Sequence, residues 1–140
     1  MPTGGGGLLA GIAIAASERN PSTRVFGVEP CDANALFLSM DARALVRLGH
    51  VPKTIADGLR PSAPGELTFE AARRHVDEVL LVDDDAIRRA QRLLLERAKL
   101  LVEPSGAAGV AALCEHREKF AGLRVVAVLT GGNTTIPWPE

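Results

Sequence analysis

Residues 4–7 are four consecutive glycines, and the apolar run Leu8-Leu9-Ala10-Gly11-Ile12-Ala13-Ile14-Ala15-Ala16 follows at once. Four residues without Cβ leave successive backbone N–H groups uncovered, and a helix starting behind them adds its own free N–H groups and the positive end of its dipole. Such a loop suits an anion, above all a phosphate. A flexible tail would continue into polar, low-complexity sequence; here an apolar helix of about ten residues begins instead and must be buried on most sides. No Gly-Lys-Ser/Thr follows, which excludes a Walker-type loop. A dinucleotide loop stays open: Gly5, Gly7 and Ala10 fit the permissive G-x-G-x-x-A form, and Glu29 stands where a ribose-binding acid would.

Parallel α/β folds place a buried strand before a phosphate loop, and only Met1, Pro2 and Thr3 precede this one. A unit truncated at its N-terminus is the expectation. At 140 residues the chain is at most one ordinary domain, and 46% apolar against 24% charged residues suits a buried α/β protein. A net charge of −1 with interspersed signs offers no basic stripe for nucleic acid and no membrane patch, so the expected partner is a small molecule. No run reaches transmembrane length and no leader pattern is evident, which points to the cytoplasm. Cys31 and Cys114 lack metal-type spacing and read as ordinary thiols.

Along the chain, a helix over 8–19 is followed by the turn Asn20-Pro21-Ser22 and a short strand from Arg24 ending at Glu29-Pro30. The spacing of Ala35, Leu36, Leu38, Met40, Leu45, Val46 and Leu48 predicts a helix over 32–48, stopped by Gly49. Residues 50–65 form a loop, in which Asp57-Gly58 favours a turn with positive φ. A helix over 66–75 and a strand over 78–82 come next. Asp83-Asp84-Asp85 then cap a long helix whose apolar face runs from Ala86 and Ile87 to Ala98 and Leu101; capping and solvated charge explain the aspartates better than a metal does. Glu103-Pro104 ends that helix and Ser105 caps the next, so rich in Gly and Ala that it must lie against a neighbouring backbone. Val125–Leu129 reads as a central parallel strand with Thr130-Gly131-Gly132-Asn133 at its carboxyl end, the edge where α/β sheets bind ligands.

With these residues in order, the chain resembles the carboxyl-terminal half of the pyridoxal-phosphate-dependent serine/threonine dehydratases, a group that includes serine racemase. The resemblance covers essentially all 140 residues. It rests on Gly4-Gly5-Gly6-Gly7-Leu8-Leu9-Ala10-Gly11, Gly27-Val28-Glu29-Pro30, Thr54-Ile55-Ala56-Asp57-Gly58, Lys99-Leu100-Leu101-Val102-Glu103-Pro104-Ser105-Gly106-Ala107 and Leu129-Thr130-Gly131-Gly132-Asn133. It implies part of the larger, open parallel-sheet domain of a fold type II (tryptophan synthase beta-like) enzyme, three-layered αβα, with no regulatory domain after Trp138-Pro139-Glu140. It also implies that Gly4, Gly5, Gly6, Gly7 and Leu8 hold the cofactor phosphate. Gly58 would lie beside the ring, Thr130 would meet the pyridine nitrogen, and Glu103 would lie near the site without a catalytic role. A hydroxyl at that nitrogen leaves the ring largely unprotonated, a weaker electron sink that suits β-elimination.

Two departures from the family pattern matter. The lysine that attaches the cofactor, and the Ser-Gly-Asn loop for the substrate carboxylate, belong to an amino-terminal half not present here. Lys53, Lys99 and Lys119, the only lysines, stand in other contexts. No catalytic residue is therefore assigned, and the chain alone is expected to be inactive. The racemase-like cation site would fall on Glu29, Ala33 and Ala35, where an alanine replaces one carboxylate and weakens the case for a divalent ion. The implied whole is an ammonia-lyase converting L-threonine or L-serine to a 2-oxo acid and ammonia, homo-oligomeric at full length. A non-catalytic fragment or partner-dependent subunit, a racemase, a 3-hydroxyaspartate dehydratase and an NAD-binding module are the alternatives.

Overall fold

Gly6 adopts a left-handed conformation (φ 87°) and the chain turns directly into α1, Gly7–Arg19. The computed structural model describes residues 1–135; the expectation that no regulatory domain follows Trp138-Pro139-Glu140 lies outside them. After α1 come β1 (Phe26–Pro30), α2 (Ala35–Ala42), a 3-10 turn at Asp57–Leu59, α3 (Glu66–His75), β2 (Glu78–Val82), α4 (Asp84–Leu93), α5 (Pro104–Glu115) and α6 (Arg117–Phe120). β1 and β2 are parallel, in register from Phe26 opposite Glu78 to Pro30 opposite Val82.

The three residues ahead of the glycines are not a free tail. Pro2 bridges Val28 in parallel, Val28 N–H donates to Met1 O at 2.9 Å, and Thr3 N–H donates to Val28 O at 3.1 Å. Pro2 and Thr3 are buried, so they form the end of a strand beside β1.

The strand side chains divide between two cores. Val28, Leu80 and Val82 pack with Ala86, Ile87 and Ala90 of α4 and the alanines of α5. Val79, on the opposite face, packs with Leu9 and Ala13 of α1 and Phe69 and Ala72 of α3. The result is the expected αβα layering. Leu9 and Ile87 are fully buried, each worth roughly 1.5–3 kcal/mol of transfer free energy. Gly27 is required by this packing: a Cβ there would stand 3.0 Å from Leu9 Cδ2 and 2.9 Å from Thr3 Oγ1.

Several expectations are corrected. α2 stops at Ala42, not Leu48, because Arg43 turns left-handed (φ 54°). Buried Ser39 then captures the outgoing chain, donating to Ala35 O at 2.6 Å and accepting from Val46 N–H at 2.9 Å. The helix after Asp83 passes through a π-helical turn at Leu94–Ala98 and ends at left-handed Lys99, leaving Leu101 about half exposed. Glu103 must be extended ahead of Pro104, and the helix unwinds before reaching it.

Val125–Leu129 forms no strand. A groove of about 670 Å³ is lined by Met1, Phe26, Gly109, Val126 and Val128 among others. The segment nevertheless approaches α5, where a Cβ on Gly109 would come 3.6 Å from Val128 O. No helix among the described residues is long and apolar enough to cross a membrane.

Candidate functional site

The glycine loop presents donors in the manner expected of an anion cup. Gly4 (φ 53°) and Gly6 (φ 87°) need the left-handed region. Gly6 N–H closes a turn onto Thr3 O at 2.9 Å, whereas the N–H groups of Gly4, Gly5, Gly7 and Leu8 meet no backbone acceptor among the described residues. α1 has no acidic residue in its first turn and no side-chain cap, so the positive end of its dipole is uncompensated. A Cβ on Gly5 or Gly7 would meet nothing within 4 Å. Thr68 of α3 anchors the loop from behind: its Oγ1 lies 2.8 Å from Gly5 O and 2.9 Å from Gly65 O.

The other site residues adjoin this loop through close backbone approaches. A Cβ on Gly4 would stand 3.0 Å from Gly58 O. Gly58 N–H donates to Ser105 Oγ at 2.9 Å, so Ser105 does not cap its own helix; Glu103 occupies the N-cap position and Pro104 the first turn. Gly58 lies in a 3-10 turn with φ outside the positive region, which corrects the expected turn. Its lack of a side chain is needed because a Cβ would come within 3.0 Å of Ser105 Oγ. One residue on, a Cβ at Gly106 would lie 2.9 Å from both N and O of Gly131. The start of α5 thus joins the Gly58 turn to the Thr130-Gly131-Gly132-Asn133 turn. Thr130 is exposed, and its hydroxyl has no partner among the described residues.

The Gly58 turn is also held from α4. Asp84 accepts from Thr54 Oγ1 at 2.5 Å and Ile55 N–H at 3.0 Å. Asp83 caps the helix through Ala86 N–H at 2.6 Å, and Asp85 pairs with Arg88. Capping and solvated charge describe two of the aspartates; the clamp made by Asp84 has no signal in the sequence. Thr68 was equally hidden, since it reaches Gly5 O across 63 residues; the resemblance sets Glu103 near the site, but its bond to Asn133 N–H, 30 residues on, had no signal in the sequence.

Glu29 is buried and lies under α2, accepting from Leu36 N–H at 3.0 Å through Oε1 and Phe37 N–H at 2.8 Å through Oε2. Burial pushes its carboxyl up to about 7, against the pull of those two bonds. The residues here do not fit a hard divalent cation: both Glu29 oxygens are engaged by backbone N–H groups, Ala35 stands where a second carboxylate would be needed beside the Ala33 carbonyl, and no metal-holding cluster occurs among the described residues. The same engagement leaves Glu29 no oxygen committed to a ribose.

None of the three lysine side chains hydrogen-bonds to the glycine loop, the Gly58 turn or the Gly131 turn among the described residues. Lys119 pairs with Glu78 at the start of β2, Lys99 Nζ donates to Glu96 O, and Lys53 is exposed with its backbone N–H on Asp32. The donors fit the phosphate and ring nitrogen of pyridoxal phosphate, through the open N–H cup and the free Thr130 hydroxyl. They offer no amine to attach it.

Residues 1–131 match the family described as pyridoxal-phosphate dependent enzyme. The chain is 43% identical over 136 residues to an L-threonine ammonia-lyase of Geobacter sulfurreducens, covering 97% of this chain and 34% of that protein. It is 40% identical over 133 residues to an L-threo-3-hydroxyaspartate ammonia-lyase of Saccharomyces cerevisiae, covering 95% and 40%. The structure of maize serine racemase superposes with a TM-score of 0.90 at 38% identity, covering 96% of this chain and 43% of that one. The chain therefore spans about a third to two fifths of the length of these two curated relatives.

Proposed function

Because the chain belongs to the family of pyridoxal-phosphate dependent enzymes, we propose that it forms the phosphate cup and ring-nitrogen contact of an ammonia-lyase acting on L-threonine or L-serine. The products are a 2-oxo acid and ammonia. The observation that supports this reading is the unbroken series of close approaches from Gly4 to Gly58, Ser105, Gly106 and Gly131, the neighbour of Thr130. When bound, the cofactor supplies an electron sink for chemistry at the substrate's α-carbon.

The chain's own contribution is binding and orientation. The N–H groups of Gly4, Gly5, Gly7 and Leu8, with the α1 dipole, hold a dianionic phosphate without charged side chains. Thr130 offers a neutral hydroxyl, which leaves the ring nitrogen without the proton a carboxylate would stabilise. The chain brings no lysine to serve as base for the α-proton: Lys119 and Lys99 are engaged elsewhere, and the exposed Lys53 stands in a loop held to Asp32 through its backbone N–H.

A partner-dependent reading follows from the same lysines: turnover requires a polypeptide that brings the amine. The test is 2-oxo acid formation from L-threonine and L-serine, first by the chain alone and then mixed with the lysine-bearing remainder of an L-threonine ammonia-lyase. We expect no turnover alone and turnover in the mixture. Turnover by the chain alone overturns the assignment of its lysines, and a silent mixture that nonetheless assembles and binds cofactor overturns the lyase reading.

A further inference from the structure

Glu103 grips the Thr130-Gly131-Gly132-Asn133 turn at two points. Its backbone N–H donates to Gly131 O at 2.9 Å, and its Oε2 accepts from Asn133 N–H at 3.0 Å. Its carboxylate lies so close over Gly131 that a Cβ there would come 2.6 Å from Glu103 Cδ. Beyond the grip, Thr134 N–H closes back onto Gly132 O at 2.8 Å.

The base of this bracket is rigid. Glu103 O receives Ala107 N–H in the first turn of α5, and Gln91 of α4 donates from Nε2 to Val102 O at 2.9 Å. The gripped segment, in contrast, has two consecutive glycines. Fixing each backbone residue costs roughly 1–2 kcal/mol of conformational entropy, more for glycine than for other residues. Something must supply that order if the residue immediately before Gly131 is to stand in one place. A carboxylate accepting a backbone N–H makes a stronger bond than a neutral acceptor.

We propose that Glu103 is a positioning residue for Thr130: by holding Gly131 and Asn133 it fixes where the Thr130 hydroxyl meets the cofactor's ring nitrogen. The proposal rests on the functional reading of Thr130 given above. Glu103 acts through the turn and touches no reacting atom. Its effect is therefore confined to the ring end of the cofactor, leaving the phosphate cup at Gly4–Gly7 untouched.

The experiment compares the chain with its Glu103→Gln, Glu103→Ala, Thr130→Ala and Glu103→Ala/Thr130→Ala variants. Three quantities are read: amide exchange at Asn133 by NMR, affinity for pyridoxal phosphate, and affinity for inorganic phosphate. In Glu103→Ala, Asn133 exchange accelerates and pyridoxal phosphate binds about tenfold more weakly, as expected for one lost charge-assisted bond. Inorganic phosphate affinity stays within about twofold of the parent in that variant, since the cup donors are separate. Glu103→Gln, which keeps an acceptor oxygen, restores most of both properties. Thr130→Ala weakens pyridoxal phosphate similarly, and the double variant is no weaker than either single one.

Unchanged Asn133 exchange in Glu103→Ala overturns the proposal, as do equal losses for both ligands or losses that multiply in the double variant. If the parent chain binds pyridoxal phosphate no tighter than inorganic phosphate, the reading of Thr130 itself has failed and the proposal falls with it. The parent measurement alone separates that failure from a failure specific to Glu103.

Discussion

Gly58 N–H donates to Ser105 Oγ at 2.9 Å across 47 residues of sequence, and the same hydroxyl leaves no room for a side chain on Gly58. The two residues fix the distance between the Asp57–Leu59 turn and the start of α5. Gly58→Ala should therefore destabilise by about 1–2 kcal/mol, as an overpacked contact does. Ser105→Ala should cost less, about 1 kcal/mol, because exposed Gly58 can return its N–H to water. Urea unfolding of both variants measures this; a costlier Ser105→Ala than Gly58→Ala would contradict the packing argument.

Within the glycine run the positions are not equivalent. Gly6 has φ 87° and a Cβ would meet Thr68 Oγ1 at 3.0 Å, whereas Gly5 and Gly7 face open space. Gly6→Ala should lose about 1–2 kcal/mol from strain and crowding. Gly7→Ala, at the first residue of α1, should be neutral or stabilising by up to about 1 kcal/mol. Thermal unfolding of the two variants decides it, and equal losses would contradict the assigned backbone geometry.

Gly131→Ala places a methyl against the Glu103 carboxylate and should cost about 1–3 kcal/mol. Adding Glu103→Ala should recover part of that loss, because the clash partner is gone. Denaturation of the single and double variants forms a cycle; strict additivity would show that the two residues do not meet.

Glu29 should make stability depend on pH. Its folded carboxyl is raised from 4.5 to about 7 by burial, so the folded state holds the proton more tightly than the unfolded one. Its stabilising effect is complete below 4.5 and is lost as pH rises through 7, by up to about 3 kcal/mol. Glu29→Gln removes this slope. The Met1 amino group, lowered by burial to about 6, works in the opposite direction in both proteins, so the difference between them isolates Glu29. Parallel pH profiles from 4.5 to 7 would contradict the assignment.

The glycine loop, the strand over 78–82 and the helix over 66–75 were legible because each is set by local pattern: missing Cβ atoms, a continuous apolar run, an amphipathic period. The end of α2 was not, because Ser39 captures Val46 only once the chain has folded back. Ser105 resembles a helix cap in sequence but serves Gly58, a contact that only tertiary packing creates. Val125–Leu129 has strand composition, yet a strand needs a neighbour, and composition does not report whether one is in place. For the candidate site, a loop of backbone N–H groups without side-chain cover was readable from residue type alone. Thr68 and Asp84 were not, and neither was the way Glu103 holds its turn, since each grips a loop distant in sequence.

The central claim is that the loop at Gly4–Gly7 takes the phosphate of pyridoxal phosphate without covalent attachment to this chain. The most direct measurement titrates the chain with pyridoxal phosphate, pyridoxal and NAD in parallel, then treats it with borohydride and weighs it by mass spectrometry. Saturable binding of pyridoxal phosphate, displaced by inorganic phosphate and tighter than pyridoxal or NAD, with no added mass, is the predicted result. Tighter binding of NAD, or cofactor mass fixed on Lys53, Lys99 or Lys119, would contradict it.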